Sequence, residues 1–400
     1  MEIIIKNMTT QNLRKYYLSF ALVFCLLAGA FRANAQEQIK ISHGPYLQSM
    51  TDSGVSIVWT TNRPATAWVE LAPDDGSHFY QKERPKYFCT ANGLKNVGTV
   101  HQVNLKNLLP GTRYRYRVYS QEVLQHEFVY VHYGNVAATA VYRKKPLTFT
   151  MPGKPGSFEF AVVNDIHERN NVLKQLLSQV YLPNTSFVIF NGDMINASMS
   201  EAQVFGGFMD TATALFASET PMYYSRGNHE TRGPFASKFA GYFPGIDGHL
   251  YYMFTRGDAC FIVLDCGEDK PDSDIEYSGI TDMDNYRTEQ AAWLANAVQT
   301  DTFKKAKYKI VIGHIPPASG WHGNQEVTQK FVPILNKAGI DVYIAAHEHR
   351  HRMQKPDETI KFPVIVNSNN NIIKAGISEK EARFRIFDTT GKLVDELIVL

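Results

Sequence analysis

Five short polar stretches, each close behind a run of apolar and β-branched residues, constrain this 400-residue chain more than any other feature. They are Asp165-Ile166-His167 behind FEFAVV, Gly192-Asp193 behind SFVIF, Gly227-Asn228-His229-Glu230 behind PMYYS, Gly313-His314 behind YKIVI, and His347-Glu348-His349 behind DVYIAA. Such runs read as buried parallel strands, and residues just past strand C-terminal ends point into the crevice where α/β sheets bind ligands. Carboxylate, imidazole and amide donors without thiolates suit hard or borderline divalent cations. Two such cations a few ångströms apart serve the attack of water on phosphorus.

The front of the chain reads as a leader. Lys6, Arg14 and Lys15 precede an apolar run from Tyr16 to Phe31, and Ala33-Asn34-Ala35 follows as a small-x-small cleavage site. The run is shorter than the roughly 20 residues a spanning helix needs. A signal peptide over residues 1–35 is therefore expected, with a secreted or periplasmic protein and no membrane anchor after cleavage. Those 35 residues carry four cations and one anion, so their removal moves the formal charge from +2 to −1. No basic block remains, which speaks against a nucleic-acid partner. Cys89, Cys260 and Cys266 remain, an odd number. Cys260 and Cys266 lie along one strand-like run, too far apart for a disulfide. They are expected to be buried thiols.

Residues 39–150 lack helical periodicity. VSIVWTT, ATAWVELA, HQVNLKNL and YRYRVYS are short runs with turn residues between them, the pattern of a β-sandwich. Met151-Pro152-Gly153-Lys154-Pro155-Gly156 reads as a linker. From residue 157 to 400 strand runs alternate with helical ones over Asn171–Val180, Glu201–Phe216, Thr288–Val298 and Val327–Ala338. That alternation argues an α/β layered sandwich, closed by a hairpin about Thr390-Gly391.

Each motif has a bland reading beside the sharp one. Asp165 and His167 share a face in extended chain and can reach one ion, yet most such pairs are solvated loops. Asp193 can bridge two ions, or cap a helix. Asn228 offers an amide oxygen, His229 a proton or hydrogen bond to a phosphoryl group, and Glu230 an orienting carboxylate, although Gly-Asn also makes turns. His314 behind a strand can be structural. His347 and His349 read as ligands and His351 as beyond the site. Five modest signals in order, all at strand ends, outweigh five coincidences.

The pattern D-x-H, G-D, G-N-H-E, G-H, x-H-x-H resembles the calcineurin-like metallophosphoesterase superfamily over roughly Phe158 to Val366. The start GPYLQ and the strand LPGTRYRYRV resemble the fibronectin type III-like domain of purple acid phosphatases. The resemblance implies a four-layer αββα sandwich behind an all-β sandwich. It implies that Asp165, His167 and His349 hold one ion, that Asn228, His314 and His347 hold the other, and that Asp193 bridges them. Asp193 and His229 would be catalytic, with His229 near the leaving group, and Asn228, His229 and His322 would contact substrate. Asn164 and Ala346 replace glycines of the pattern. Asn196 holds the place of the purple-type tyrosine, and His167 that of a glycine. Two divalent or mixed-valence ions are implied, and Zn, Mn and Fe all suit the donors. The expected function is a phosphoric ester hydrolase that cleaves small phosphomonoesters through a hydroxide bridging the metals. A phosphodiesterase or nucleotidase is the alternative within this chemistry, and a catalytically dead surface binding protein the alternative of another class. Asn184-Thr185-Ser186 and Asn196-Ala197-Ser198 match glycosylation acceptors, the second crowding the expected site. The sequence leaves oligomeric state open.

Overall fold

Side-chain alternation along a few strands builds the layers. In the strand Phe158–Val163, Phe160 and Val162 enter one apolar core while Ala161 and Val163 enter another. The strand Thr185–Asn191 divides likewise, Phe187 and Ile189 to the first core, Val188 and Phe190 to the second. A second group of strands, Ala259–Val263, Tyr308–Ile312 and Val342–Ala345, sends Phe261, Val263, Ile310, Ile312, Val342 and Ile344 into that first core. Their alternate residues, among them Ile262, Val311 and Tyr343, enter a third. Two sheets thus face each other across one apolar interior, and Phe160, Phe187 and Phe261 pack within it at centroid distances of 4.9–5.5 Å. Helices cover the outer faces: Asn170–Leu177 and the helical stretch 201–217 on one side, Met283–Ala297, His322–Lys330 and Val332–Ala338 on the other. This is the expected αββα sandwich.

The computed structural model describes residues 37–140, 144–153 and 156–400. The expected leader over residues 1–35 lies outside them, as do Lys154 and Pro155 of the expected linker. Among the described residues, no helix is long and apolar enough to cross a membrane. The first sheet has thirteen strands there, and its path runs Leu393–Val399, Ala382–Asp388, Asn371–Ile377, Phe158–Val163, Thr185–Asn191, Met222–Ser225, Ile41–Gln48, Val55–Pro73, Arg113–Glu127, Tyr130–Ala138. The second has six strands. The N-terminal β region therefore continues a sheet of the sandwich. Ile41–Gln48 pairs parallel to Met222–Ser225 and antiparallel to Val55–Pro73. Tyr46 donates to the Tyr242 carbonyl at 2.8 Å and Tyr116 to that of Ser218 at 2.7 Å, closing the same seam. Residues Lys40–Leu400 form one compact unit.

Three local readings differ from the structure. The helix expected from Thr288 starts at Met283. Its first amides are capped by Asp272, whose carboxylate accepts from Met283 N at 2.8 Å and Asp284 N at 3.0 Å. A cap eleven residues upstream leaves no local signature. The helix expected over Val327–Ala338 is two helices, broken at Phe331 ahead of Pro333, which lacks the N–H and restricts the residue before it. Within the stretch 201–217, Phe205–Met209 and Thr213–Ala217 are π-helical turns. The closing hairpin, Ala382–Asp388 with Leu393–Val399, forms where expected. Cys89, Cys260 and Cys266 are free and buried.

His101 is fully buried in the strand Gly98–Leu105, with Nε2 2.9 Å from Thr61 Oγ1 and its ring against Trp59. Burial lowers its pKa to about 4. The unfolded chain then binds a proton below about pH 6.5 that the folded chain refuses until about pH 4. Its stabilising contribution is present above pH 6.5 and is lost as pH falls through that window, by roughly 3 kcal/mol. Urea unfolding at pH 7 and pH 4.5 should show a smaller pH difference in His101→Gln than in wild type. Equal differences would remove His101 from the account.

Candidate metal centre

The polar residues at the strand ends are not in extended chain, as the sequence reading assumed. Asp165, His167, Asp193, His347 and His349 have φ of 50°, 47°, 53°, 71° and 57°. Left-handed backbone costs a residue with a Cβ about 1–2 kcal/mol, so something must hold it. Here the first two loops zip together: Asp165 N donates to Gly192 O at 2.9 Å, His167 N to Asp193 O at 3.0 Å, and Glu168 N to Met194 O at 3.0 Å. The curled backbone, in place of strand alternation, turns both Asp165 and His167 inward.

Two glycines permit this closeness. A Cβ on Gly192, where φ is 79°, would lie 2.5 Å from His314 Nδ1 and 2.6 Å from Gly227 N. A Cβ on Gly227 would lie 2.2 Å from Asp193 Oδ1. The glycine of G-D and that of G-N-H-E are thus required by the approach of three loops.

Two groups of donors result. Asp165, His167, Asp193 and His349 place ligand atoms within 4.8 Å of one another, and Asp193, His314 and His347 do the same. Asp193 belongs to both. In the first, His167 Nε2 and His349 Nε2 are 3.0 Å apart, and His349 Nε2 is 3.2 Å from Asp165 Oδ1. That oxygen is buried and accepts no hydrogen bond. In the second, His314 Nε2 is 3.1 Å from Asp193 Oδ2. Asn228 Oδ1 is 3.1 Å from His347 Nδ1, and the opposite amide orientation would let Asn228 accept from Arg232 Nη2 at 3.0 Å.

This donor set fits cations. His314 Nδ1 lies 2.7 Å from the Asn191 carbonyl, which can only accept, so Nδ1 carries a proton and Nε2 is the nitrogen that faces Asp193, holding a proton toward its carboxylate that a bound cation would replace. Burial disfavours charge on the His314 ring, but the Asp193 carboxylate outweighs it and lifts the pKa to about 10. A divalent ion would satisfy the same convergence of nitrogen and oxygen lone pairs, including the orphaned Asp165 Oδ1.

His229 stands at the open edge, with 28% of its side chain exposed. Its backbone N–H donates to Asp193 Oδ1 at 3.0 Å, and its Nδ1 lies 2.7 Å from the Asn196 carbonyl. That contact protonates Nδ1 and turns Nε2, 3.9 Å from Asp193 Oδ2, toward the cluster. Glu230 is fully buried and orients its neighbours: its carboxylate accepts from Asp193 N, Met194 N and Gly227 N at 2.8–2.9 Å and from Tyr224 Oη at 2.9 Å. His351 pairs with Asp395 at 3.0 Å, outside both groups.

The structure does not bring His322 to the cluster. Its Nε2 lies 2.8 Å from Asp284 Oδ1, in a separate group with Glu326, because the Met283–Ala297 helix packs a carboxylate against it. Residues the motifs missed stand beside the Asn228 half instead. Arg232 makes paired hydrogen bonds to Glu268 and reaches Asp269 at 2.9 Å. Glu268 and Asp269 follow the strand Ala259–Val263, one more strand end in the sheet that leads to His314 and His347. Its polar tail Asp265-Cys266-Gly267-Glu268-Asp269 was the available signal.

The Glu230 clasp predicts a coupled loss. In Glu230→Gln an amide N–H₂ must face one of the two pairs of donors. Unfolding free energy should fall by about 2–4 kcal/mol, and bound metal, read by elemental analysis after dialysis, should fall with it. Normal stability and metal content in Glu230→Gln would show that the clasp is dispensable.

Comparison with known proteins agrees with this architecture. Residues 158–351 match the calcineurin-like phosphoesterase family, and residues 38–132 match the purple acid phosphatase N-terminal domain. Purple acid phosphatase 3 of Arabidopsis thaliana is 25% identical over 232 residues, which are 52% of this chain and 62% of the relative. Purple acid phosphatase 4 of the same plant is 24% identical over 226 residues, 50% of this chain and 64% of the relative. The matched part of the chain thus spans a little under two thirds of these relatives. The solved structure of a purple acid phosphatase from yellow lupin (Lupinus luteus) seeds superposes with a TM-score of 0.62 at 15% identity, covering 88% of this chain and 73% of that one, and shares its fold. Residues 158–351 are thus a calcineurin-like phosphoesterase domain, preceded by a purple acid phosphatase-type N-terminal domain.

Proposed function

We propose that this protein is an exported phosphomonoesterase working with two metal ions on small phosphorylated molecules. The observation that carries the reading is that Asp193 is common to both donor groups. One carboxylate shared between two sets of imidazoles is what a paired-cation site needs. Asp165, His167 and His349 would hold one ion, and Asn228, His314 and His347 the other. Bound there, the ions would supply an acidified water and positive charge opposite the phosphoryl oxygens.

The chain's own residues do the rest. Asp165, Asp193 and His314 are buried, whereas His229 and His349 keep 28% and 47% of their side chains exposed, so substrate enters on the His229 and His349 side. The Asn196 carbonyl fixes the His229 ring, so a proton on Nε2 makes it an imidazolium held in place. That Nε2–H donates to the oxygen of the departing alcohol, or steadies its charge. Arg232, held by Glu268 and Asp269, keeps the Asn228 side of the site in place. The apolar run and small-x-small site at the front of the chain support export.

Three expected outcomes test this. Asp193→Asn should lose metal and phosphatase activity together. His229→Ala should lower kcat by 10²–10⁴-fold with metal content near wild type; an emptied site in His229→Ala would reassign His229 to metal binding. Asn196 replaces the tyrosine of the purple enzymes, so protein loaded with iron should show no tyrosinate charge-transfer band in the visible. A purple preparation would place a tyrosine on the metal and overturn this assignment.

A further inference from the structure

The end of the sandwich away from the donor groups holds a cation without a counter-charge. Arg256 closes the strand Tyr252–Arg256 and is only 7% exposed. Its Nε and Nη2 are buried and make no hydrogen bond, and no carboxylate among the described residues pairs with it. The guanidinium lies against the inner core instead, 5.7 Å from the Phe187 ring centroid. Tyr223 is beside it, but burial holds that hydroxyl up at about 12 against the pull of the cation, so it brings no negative charge. A guanidinium cannot shed its proton, and an uncompensated buried charge is costly. Arg256 does border a cavity of about 480 Å³. Phe158, Thr185 and Pro221 put that cavity where the strands Phe158–Val163, Thr185–Asn191 and Met222–Ser225 begin. The same strands lead to Asp165, Asp193 and Asn228 at their other ends, roughly 20 Å away. Ser157, Ser186 and Thr220 also line the cavity, and their hydroxyls make no hydrogen bond to any described residue. The two carboxylates in its wall are already engaged. Glu219 accepts from Thr148 N at 2.8 Å and Thr148 Oγ1 at 2.7 Å, and Asp52 accepts from Thr255 Oγ1 at 3.1 Å.

We propose that this cavity binds a small oxyanion, a phosphate or a carboxylate, whose charge Arg256 balances. The guanidinium charge is delocalised, so an oxygen on the cavity side offsets all of it, and hydroxyl donors in the wall suit the remaining oxygens. The wall comes from both parts of the chain, Asp52 and Thr150 from the N-terminal region and the strand starts from the sandwich. A bound anion therefore fastens one to the other. It does so whether or not the Asp193 groups carry metal.

The test is thermal melting of the metal-loaded protein in sodium phosphate, acetate or chloride at equal ionic strength. Any anion at the metal centre acts alike on wild type and variant. Wild type should gain about 2–5 °C from phosphate or acetate over chloride, saturating with concentration, and the stronger of those two arms identifies the anion. Arg256→Met should lose that gain. In chloride it should melt no lower than wild type, because an apolar chain of similar length has replaced an unpaired buried cation. Arg256→Lys, which keeps the charge without the guanidinium, should need about threefold more anion for half the gain. An equal gain in Arg256→Met, or no gain over chloride in wild type, would overturn the site. So would an Arg256→Met that melts below wild type in chloride, which would reveal a structural partner for the cation. Should Arg256→Met not fold, Arg256→Lys decides: an unchanged requirement for anion there sinks the proposal.

Discussion

One buried carboxylate ties the site together. Glu230 takes three backbone N–H groups from two loops and a tyrosine hydroxyl from the strand below. Those loops carry Asp193 and Asn228, so the positions of both residues are set by the same group. Hydrogen bonds to a charged acceptor are stronger than neutral ones, and leaving buried donors unmet is costly. The left-handed turns at Asp165, His167 and Asp193 persist because the loops around them are bound this tightly.

That clasp works only on a rigid platform. The inner core of phenylalanines and aliphatic residues fixes the two sheets face to face, and the strand ends meet at one edge because the sheets are parallel where it matters. The N-terminal strands add to the same platform. Their pairing through Ile41–Gln48 continues the first sheet directly beside Met222–Ser225, the strand that leads to Asn228. The accessory region is thereby joined directly to the strand that leads to Asn228.

Much of this was legible in the chain. FEFAVV, SFVIF and YKIVI are apolar on both faces, which only a strand covered on both sides tolerates, and they became the central strands. The glycines before Asp193 and Asn228 were visible, and their reason, a Cβ colliding with His314 or Asp193, was not. The start of the helix at Met283 was hidden because Asp272 caps it across a loop. His322 reads as a substrate contact from its place in the loop after His314, and its pairing with Asp284, 2.8 Å away, is not visible in that spacing. Arg232 and Asp269 fell outside every motif because their significance lies in each other.

The sequence by itself determined the donor chemistry and the α/β layered character of the second part of the chain, since these follow from residue type and local period. The tertiary structure alone decided that Asp193 belongs to both donor groups and that curled rather than extended backbone turns these side chains toward one another. The physical reason is distance: contacts between residues dozens of positions apart depend on how sheets and loops pack, which no local pattern encodes.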